Sequence, residues 1–585
     1  MADYEDFGNS HLTMFLTRSS ILKPNIFSND RTMSWDGEIV ILRNKQQPKQ
    51  SYVGKIPVQV KTRGVENFNQ EFSSFDFEIA DLRNYSLSGG VVVFLIEVMN
   101  FACKIFYRPL LPSDLKDILS KYGNQATRAI QLKFLDESTT TEIENELQTF
   151  LINVRKQYSN LDYSITLDEV SEFSFYAVTD AIPFDDYLLK RPFPIPMYAK
   201  KSPIDIEYYF DNVHVTSVSH TVNKPVSINN KVFYNSYELI KTKDNITIKF
   251  GKKIFIDTTL NGLSIELSGT ILERITDCEF LIELFKYKEI SLAIDNSSYL
   301  KIQEIKNEGE LKSNTEKILQ NLNEILQLLE IFKVNPLSLE LSQNGSEQLD
   351  IQSLINLDQL IKVFIYHEKP SILPDKQGFH ILKISNIHLG IFIYQVDGAY
   401  IVRDLFSNLD DLHFSASTIN GVRIDISPYI FISVKDLQLA TNLDLDLIIS
   451  SIKKCEPNED YINLVNLFGL GLINTYDLTN REEFLIGALE IFDWLLSFEN
   501  NNIISRLNML QIIRRSRSFT DDEFTELNKM REKFTENDEW VCGIDILLEN
   551  KAEARVRFSK LPEIIKTEFV KFPIYRFAIK NNILK

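Results

Sequence analysis

SWDGEIVIL at residues 34–42 and YVGKIPVQVKTR at residues 52–63 decide how this chain is read. The first holds an apolar run, Ile39 to Leu42, and the polar segment RNKQQPKQ (43–50) separates it from the second, so the two read as a hairpin. In the second, Val58 and Val60 alternate with Gln59, Lys61 and Arg63. A period of two puts the three polar residues on one face of a strand and the valines on the other. Working outward, VVVFLI (91–96) is too uniformly apolar for a half-exposed strand and suits the buried centre of a sheet. A strand follows at 102–107, Pro112-Ser113-Asp114 opens a helix over LKDIL, and QLKFL (131–135) is another strand. Thr139 and Glu142 have the spacing of a capping box before a helix whose apolar positions are Ile143, Leu147, Phe150, Leu151 and Val154. Together these predict an α/β domain over residues 1–165, a mixed central sheet flanked by helices.

The remainder divides into three. Five prolines between Pro183 and Pro203 predict an extended Pro-rich linker over 166–203. Residues 204–435 read as a β-rich acidic region with an inserted helix near 312–333, where Ile318, Leu322, Ile325, Leu326 and Leu329 form one apolar stripe. Residues 436–585 read as an α-helical region, with capping-box spacings at Thr479/Glu482 and Thr520/Glu523.

Composition excludes several classes. The 585 residues are 44% hydrophobic and 25% charged, with only 20 Gly and 18 Pro, so collagen-like and low-complexity chains are ruled out. A chain of this size buries several cores without disulfides or structural zinc. Its four cysteines are far apart with no CxxC pair, which fits reduced thiols and a cytoplasmic location. The longest apolar run, VVVFLIEVM (91–99), is broken by Glu97 and too short for a bilayer, so no membrane association is expected. The start, MADYEDFGNSHL, is not a secretory signal. The net charge of −18 is uneven: 12 Lys/Arg meet 12 Asp/Glu in residues 1–110, and 16 meet 13 in residues 501–585. The middle therefore carries the acidity, which argues against wrapping of nucleic acid by the whole chain and leaves the ends free to bind it. No GxxxxGK[ST], HExxH or GxSxG pattern occurs, so P-loop, zincin and serine-hydrolase chemistries are not expected.

What remains is an acid ahead of one strand and a Gln-x-Lys on its neighbour. Phosphodiester hydrolysis uses Mg²⁺ or Mn²⁺, which prefer hard oxygen ligands. Asp36 supplies a carboxylate and Gln59 an amide oxygen. Lys61 shares the face of Gln59 and can orient the attacking water or offset charge at phosphorus. Glu38, two residues after Asp36, is either a second carboxylate at the ion or the partner of a surface lysine. Arg63 continues the same face toward a phosphate backbone. In the helical tail Arg514, Arg515 and Arg517 form a basic cluster that either contacts nucleic acid or is a solvated helix face.

Asp36 with Gln59-x-Lys61 on adjacent strands resembles the PD-(D/E)XK, or restriction-endonuclease-like, nuclease superfamily. The flanking text WDGEI, IPVQVKTR, DLRNYSLSGGVVVFLIEV and IFYRPLLPSDL is similar to a bacterial branch of unknown function often found with anti-phage defence genes. The likeness covers residues 1 to about 120 and, more loosely, helices such as Ser505–Arg517. It implies that Asp36 and Gln59 are metal ligands, Lys61 is the catalytic lysine, and Mg²⁺ or Mn²⁺ is the cofactor. It also implies a nucleic-acid substrate, DNA ahead of RNA, and an effector regulated by the middle and C-terminal regions. A homo-oligomer or a partner defence protein, among them a guide-loaded Argonaute-like protein, is implied as partner. The family adds an acid from a helix before the first strand. Here the expected helix, Asn9–Thr17, has none, with Glu5 and Asp6 just before it, His11 within it and Asp30 ahead of the strand. That departure, and Gln in place of Glu, supports an alternative: a catalytically degenerate nuclease fold acting as a sensor or interaction subunit.

Overall fold

The structure, a computed structural model, describes residues 4–27, 34–46, 49–157, 166–180, 183–201, 204–259, 262–292, 299–302, 305, 307–341, 349–369, 377–417, 421–498 and 503–584. Asp30 and Pro203 lie outside them. The amino-terminal elements run α1 (Tyr4–Thr17), β1 (Leu22–Ile26), β2 (Gly37–Leu42), β3 (Tyr52–Gly64), β4 (Phe72–Glu78), α2 (Ile79–Leu87), β5 (Val91–Met99), β6 (Ala102–Leu110), α3 (Pro112–Tyr122), β7 (Thr127–Phe134) and α4 (Thr141–Gln157). Seven strands form one mixed sheet in the order β1-β2-β3-β5-β6-β7-β4. Only β3 and β5 run parallel, with Gln59 beside Val93, Lys61 beside Leu95 and Arg63 beside Glu97.

The apolar run of β5 has its cause in two cores. Val92, Phe94 and Ile96 face one cluster with Leu12 and Phe15 of α1 and Leu147 and Phe150 of α4. Val91, Val93 and Leu95 face another with Leu82 and Tyr85 of α2 and Leu115 of α3. Both faces being covered, no polar residue can alternate in without a partner. On β3 the alternation holds as read: Val58 and Val60 face the α1 and α4 side, and the odd-numbered polar residues face the α2 side.

The segment read as a linker folds instead. Phe184–Lys190 is a helix, and Val170–Ser174 and Ile195–Lys201 are strands in a three-stranded sheet completed by Ile204–Val213. Pro196 is tolerated because it pairs with Asn212 on one side, at a level where the strand on the other side, which ends at the Ser174–Tyr198 pair, no longer reaches. Two capping assignments also change. The helix at 141–157 is preceded by Thr140, whose hydroxyl bonds Glu144 at 2.8 Å, while Glu142 bonds Tyr107 and Lys133 instead. Thr479 is the last residue of the helix Glu459–Thr479 rather than the cap of the next one. The Thr520/Glu523 capping box is formed.

The chain divides into two units, residues 1–223, 236–249 and 255–262 in one and 224–235, 250–254 and 263–585 in the other. The middle is β-rich, with pairings such as Ser217–Val222 on Tyr237–Thr242 in the first unit and the meander Gly378–Ile384, Ile387–Val396, Ala399–Asp404 in the second. The inserted helix spans Glu308–Ile331, and the carboxy-terminal region is helical through Lys580. Among the described residues no helix is long and apolar enough to cross a membrane.

Candidate functional site

The pairing of β2 with β3 starts at Gly37 opposite Val58, so beyond that point no described strand lies beside that edge of β3. Asp36 fills the fork. Its backbone N–H donates to the Val58 carbonyl at 3.1 Å, and its carbonyl accepts from Phe27 N–H at 3.0 Å. Its side-chain Oδ2 accepts from Val60 N–H at 2.8 Å, the donor that the missing strand leaves over. Gly37 is required next to it: at φ +151°, a Cβ there would lie 2.2 Å from the Asn25 carbonyl oxygen of β1.

The same Oδ2 accepts from Gln59 Nε2, and Gln59 Oε1 accepts from the Tyr85 hydroxyl at 3.0 Å. Asp36, Gln59 and Tyr85 thus form one hydrogen-bonded row from the strand fork to α2. Burial, with Asp81 and Asp36 nearby, pushes the Tyr85 phenol well above its ordinary range, so it acts as a donor. Ser34 ties the segment before Asp36 to the same helix, donating to Asp81 at 2.6 Å and accepting from Asn84 at 2.9 Å. Trp35 packs edge-on against Tyr85, with ring centroids 6.0 Å apart. Tyr85, Asp81, Ser34 and Asn84 are site residues the motif did not include. Their signal was the spacing of Asp81, Asn84 and Tyr85, which puts all three on one face of α2.

Lys61 lies two residues beyond Gln59 on the same face, half-buried, and no described residue forms an ion pair or hydrogen bond with it. Glu38 is spent on Lys55, 2.9 Å away, which is the surface-lysine alternative. Arg63 is spent as well. Its guanidinium donates to Glu97 at 2.8 Å, to Ser73 Oγ at 2.7 Å and to the Ser74 carbonyl at 3.0 Å. Glu97 is completely buried and also accepts from Asn69 and Ser73. Burial raises its pKa, but the hydrogen bonds from Arg63, Ser73 and Asn69 outweigh it and hold the carboxyl below its usual range.

The three tail arginines are not an open phosphate-binding cluster. Arg515 is buried and paired in two-pronged fashion with Asp477 at 2.8 Å, Arg517 grips Glu523 at 2.7 and 2.8 Å, and Arg514 pairs with Glu549. Each guanidinium already has its anion, so the solvated or packed helix face is what the geometry gives.

The oxygen donors at Asp36 and Gln59 are of the hard type that Mg²⁺ and Mn²⁺ take, and a single carboxylate with waters and substrate phosphates is within the habit of Mg²⁺. Gln59 now offers its NH₂ group to Asp36, so its oxygen would reach an ion there only with the amide turned over. Among the described residues no group of three or more His, Cys, Asp or Glu could hold a metal. The helix expected to carry a further acid is α1, and it starts early enough to include Glu5 and Asp6. Its Leu12, Phe15 and Leu16 pack with Val58 and Val60, on the face of β3 opposite Gln59, and His11 pairs with Glu137 at 2.8 Å. No family model, no curated protein and no solved structure matches this chain.

Proposed function

We propose that the amino-terminal domain is a metal-dependent nuclease that hydrolyses phosphodiester bonds at Asp36, Gln59 and Lys61. The supporting observation is the contact of Asp36, just ahead of β2, with Gln59 of β3, with an ammonium group two residues along the same face that no described residue engages. In this reading Asp36 and Gln59 hold Mg²⁺ or Mn²⁺, and Glu38 takes no part because Lys55 occupies it. The ion, when bound, lowers the pKa of a water and offsets charge at phosphorus. The chain's own part is positional. The strand fork fixes Asp36, Tyr85 lies at the far end of the Gln59 amide, which turns over to present its oxygen to the ion, and Lys61 orients the water or neutralises the phosphate oxygen. DNA as the preferred substrate, a defence role, a cytoplasmic location, and an oligomer or partner protein are carried only by the sequence resemblance.

One observation favours a second reading, a degenerate fold used for interaction. Asp36 already has a structural task, completing the ladder for Val60, and Gln59 is satisfied by Tyr85 without any ion.

Incubating the full chain with plasmid and with RNA, in Mg²⁺ and in Mn²⁺, separates the two. Asp36→Ala also strips Val60 of its acceptor, so Lys61→Ala is the cleaner variant. The nuclease reading expects divalent-dependent cleavage reduced about 100-fold or more in both variants. Equal activity in all three proteins marks a contaminant. Absence of cleavage with every substrate and ion favours the degenerate reading.

A further inference from the structure

A cavity of about 250 Å³ opens in the helical region between the helices Glu459–Thr479, Ile503–Ser516 and Asp538–Leu547 and the segment 569–574. Its walls are apolar, with Leu467, Leu470, Leu507, Trp540, Phe569 and Phe572. Three features of it are not explained by packing.

The first is a row of amides. Gln511 Nε2 donates to Asn508 Oδ1 at 2.8 Å, and Asn508 Nδ2 donates to Asn466 Oδ1 at 2.8 Å. The row leaves Gln511 Oε1 buried without a partner among the described residues, in a residue only 6% exposed. A buried acceptor without a donor is costly, and native structures rarely leave one. The second is Glu539, which lines the same cavity and has no ion pair or hydrogen bond among the described residues. Burial raises the pKa of its carboxyl. The third is Gly543, in the middle of Asp538–Leu547 and also in the wall. Glycine is the poorest helix former after proline. It is usually kept where a neighbour excludes a side chain, yet a Cβ at Gly543 would meet nothing within 4 Å. The space that a side chain there would take is left open in the cavity wall.

We infer that this cavity is a binding site for a small organic cation, an aromatic or alkyl body ending in an amine or amidine. The apolar walls take the body, and Trp540 puts an aromatic ring, a group that attracts cations, in the same lining. Gln511 Oε1 and the Glu539 carboxylate are both acceptors, and the second is anionic, so the ligand end must bring N–H donors and favours a positive charge. The inference is independent of the nuclease reading, since no residue of that site takes part.

Three probes of similar size separate charge from shape: benzamidine, benzyl alcohol and phenylacetate, titrated calorimetrically into the full chain. The expected order is benzamidine first, with a Kd on the order of 1 mM or below, benzyl alcohol weaker, and phenylacetate absent. Glu539→Gln should weaken benzamidine about tenfold and leave benzyl alcohol within about twofold. Gly543→Leu adds a side chain whose Cβ meets nothing within 4 Å, in the cavity wall, and it improves the helix, so it should abolish binding while the protein melts no earlier than the parent. Equal binding of the three probes, benzamidine binding that survives Gly543→Leu, or no saturable binding up to about 10 mM would each overturn the assignment.

Discussion

The two ends of the polar face of β3 carry cations only two residues apart, and the fold treats them oppositely. Arg63 is surrounded by Ser73, Ser74 and the fully buried Glu97. Lys61 has no partner at all among the described residues. The sheet accounts for the difference. β4 is four places from β3 in strand order, yet its Ser73 and Ser74 touch Arg63, so the sheet curls and brings its far edge back over that end of β3. At the other end β2 begins late and leaves a fork, which Asp36 and Gln59 occupy. One end is a closed structural ion pair, and the other carries an ammonium that no described residue engages, two residues along the strand from Gln59. A basic residue on a strand face is thus no evidence of function until its anion has been sought.

The largest expected effect tests the closed end. Arg63→Met removes the charged partner of a buried carboxylate and should cost about 3–5 kcal/mol in urea unfolding at pH 7. The pH dependence supplies the sign. In the parent the folded pKa of Glu97 lies below its unfolded value. Its contribution is therefore present above about pH 4.3 and is lost as pH falls through the lower folded value. In Arg63→Met the folded pKa should rise above the unfolded one, so the deficit should shrink as pH is lowered from 7 toward about 5. A deficit that is constant with pH would break the account of this end.

Lys61→Ala tests the open end. With no ion pair or hydrogen bond to a described residue to lose, stability should stay within about 0.5 kcal/mol of the parent, while nuclease activity falls about 100-fold or more. A large loss of stability would mean that Lys61 is structural too, and the contrast would vanish.

Gln59→Glu sharpens the contrast further. It places a second carboxylate against Asp36, so in EDTA the melting temperature should drop by the equivalent of about 1–2 kcal/mol, and Mg²⁺ should restore it. A drop that Mg²⁺ does not reverse would indicate that no ion enters the fork. The smallest effects belong to the tail. Arg514→Ala and Arg517→Ala remove exposed ion pairs, costing less than about 1 kcal/mol each, and should leave the salt dependence of any nucleic-acid binding unchanged.

Several of these features could be read from residues alone. The alternation through Gln59, Lys61 and Arg63 and the doubly buried run of β5 follow from local periodicity, and so does an inserted helix near 312–333, which the structure places at Glu308–Ile331. The separate fates of Lys61 and Arg63 could not, because they depend on β4 returning across the sheet. The lone Glu97 in an apolar strand was the available signal, since a buried acid demands a donor. The Pro-rich segment misleads for a related reason. Proline forbids a ladder bond on one side only, and the level where the neighbouring strand ends is invisible in sequence. Thr479 shows the limit of capping patterns: the preceding helix runs through it, and packing such as Gly469 against the Phe492 ring outweighs the local preference.

The nuclease reading rests on an ion entering the fork between β2 and β3. Mn²⁺ titration of the parent, Asp36→Ala and Lys61→Ala, followed by the electron paramagnetic resonance of the free ion, reads this most directly. The account predicts one Mn²⁺ site in the parent that is retained in Lys61→Ala and lost in Asp36→Ala. Identical Mn²⁺ uptake by the parent and Asp36→Ala would contradict it.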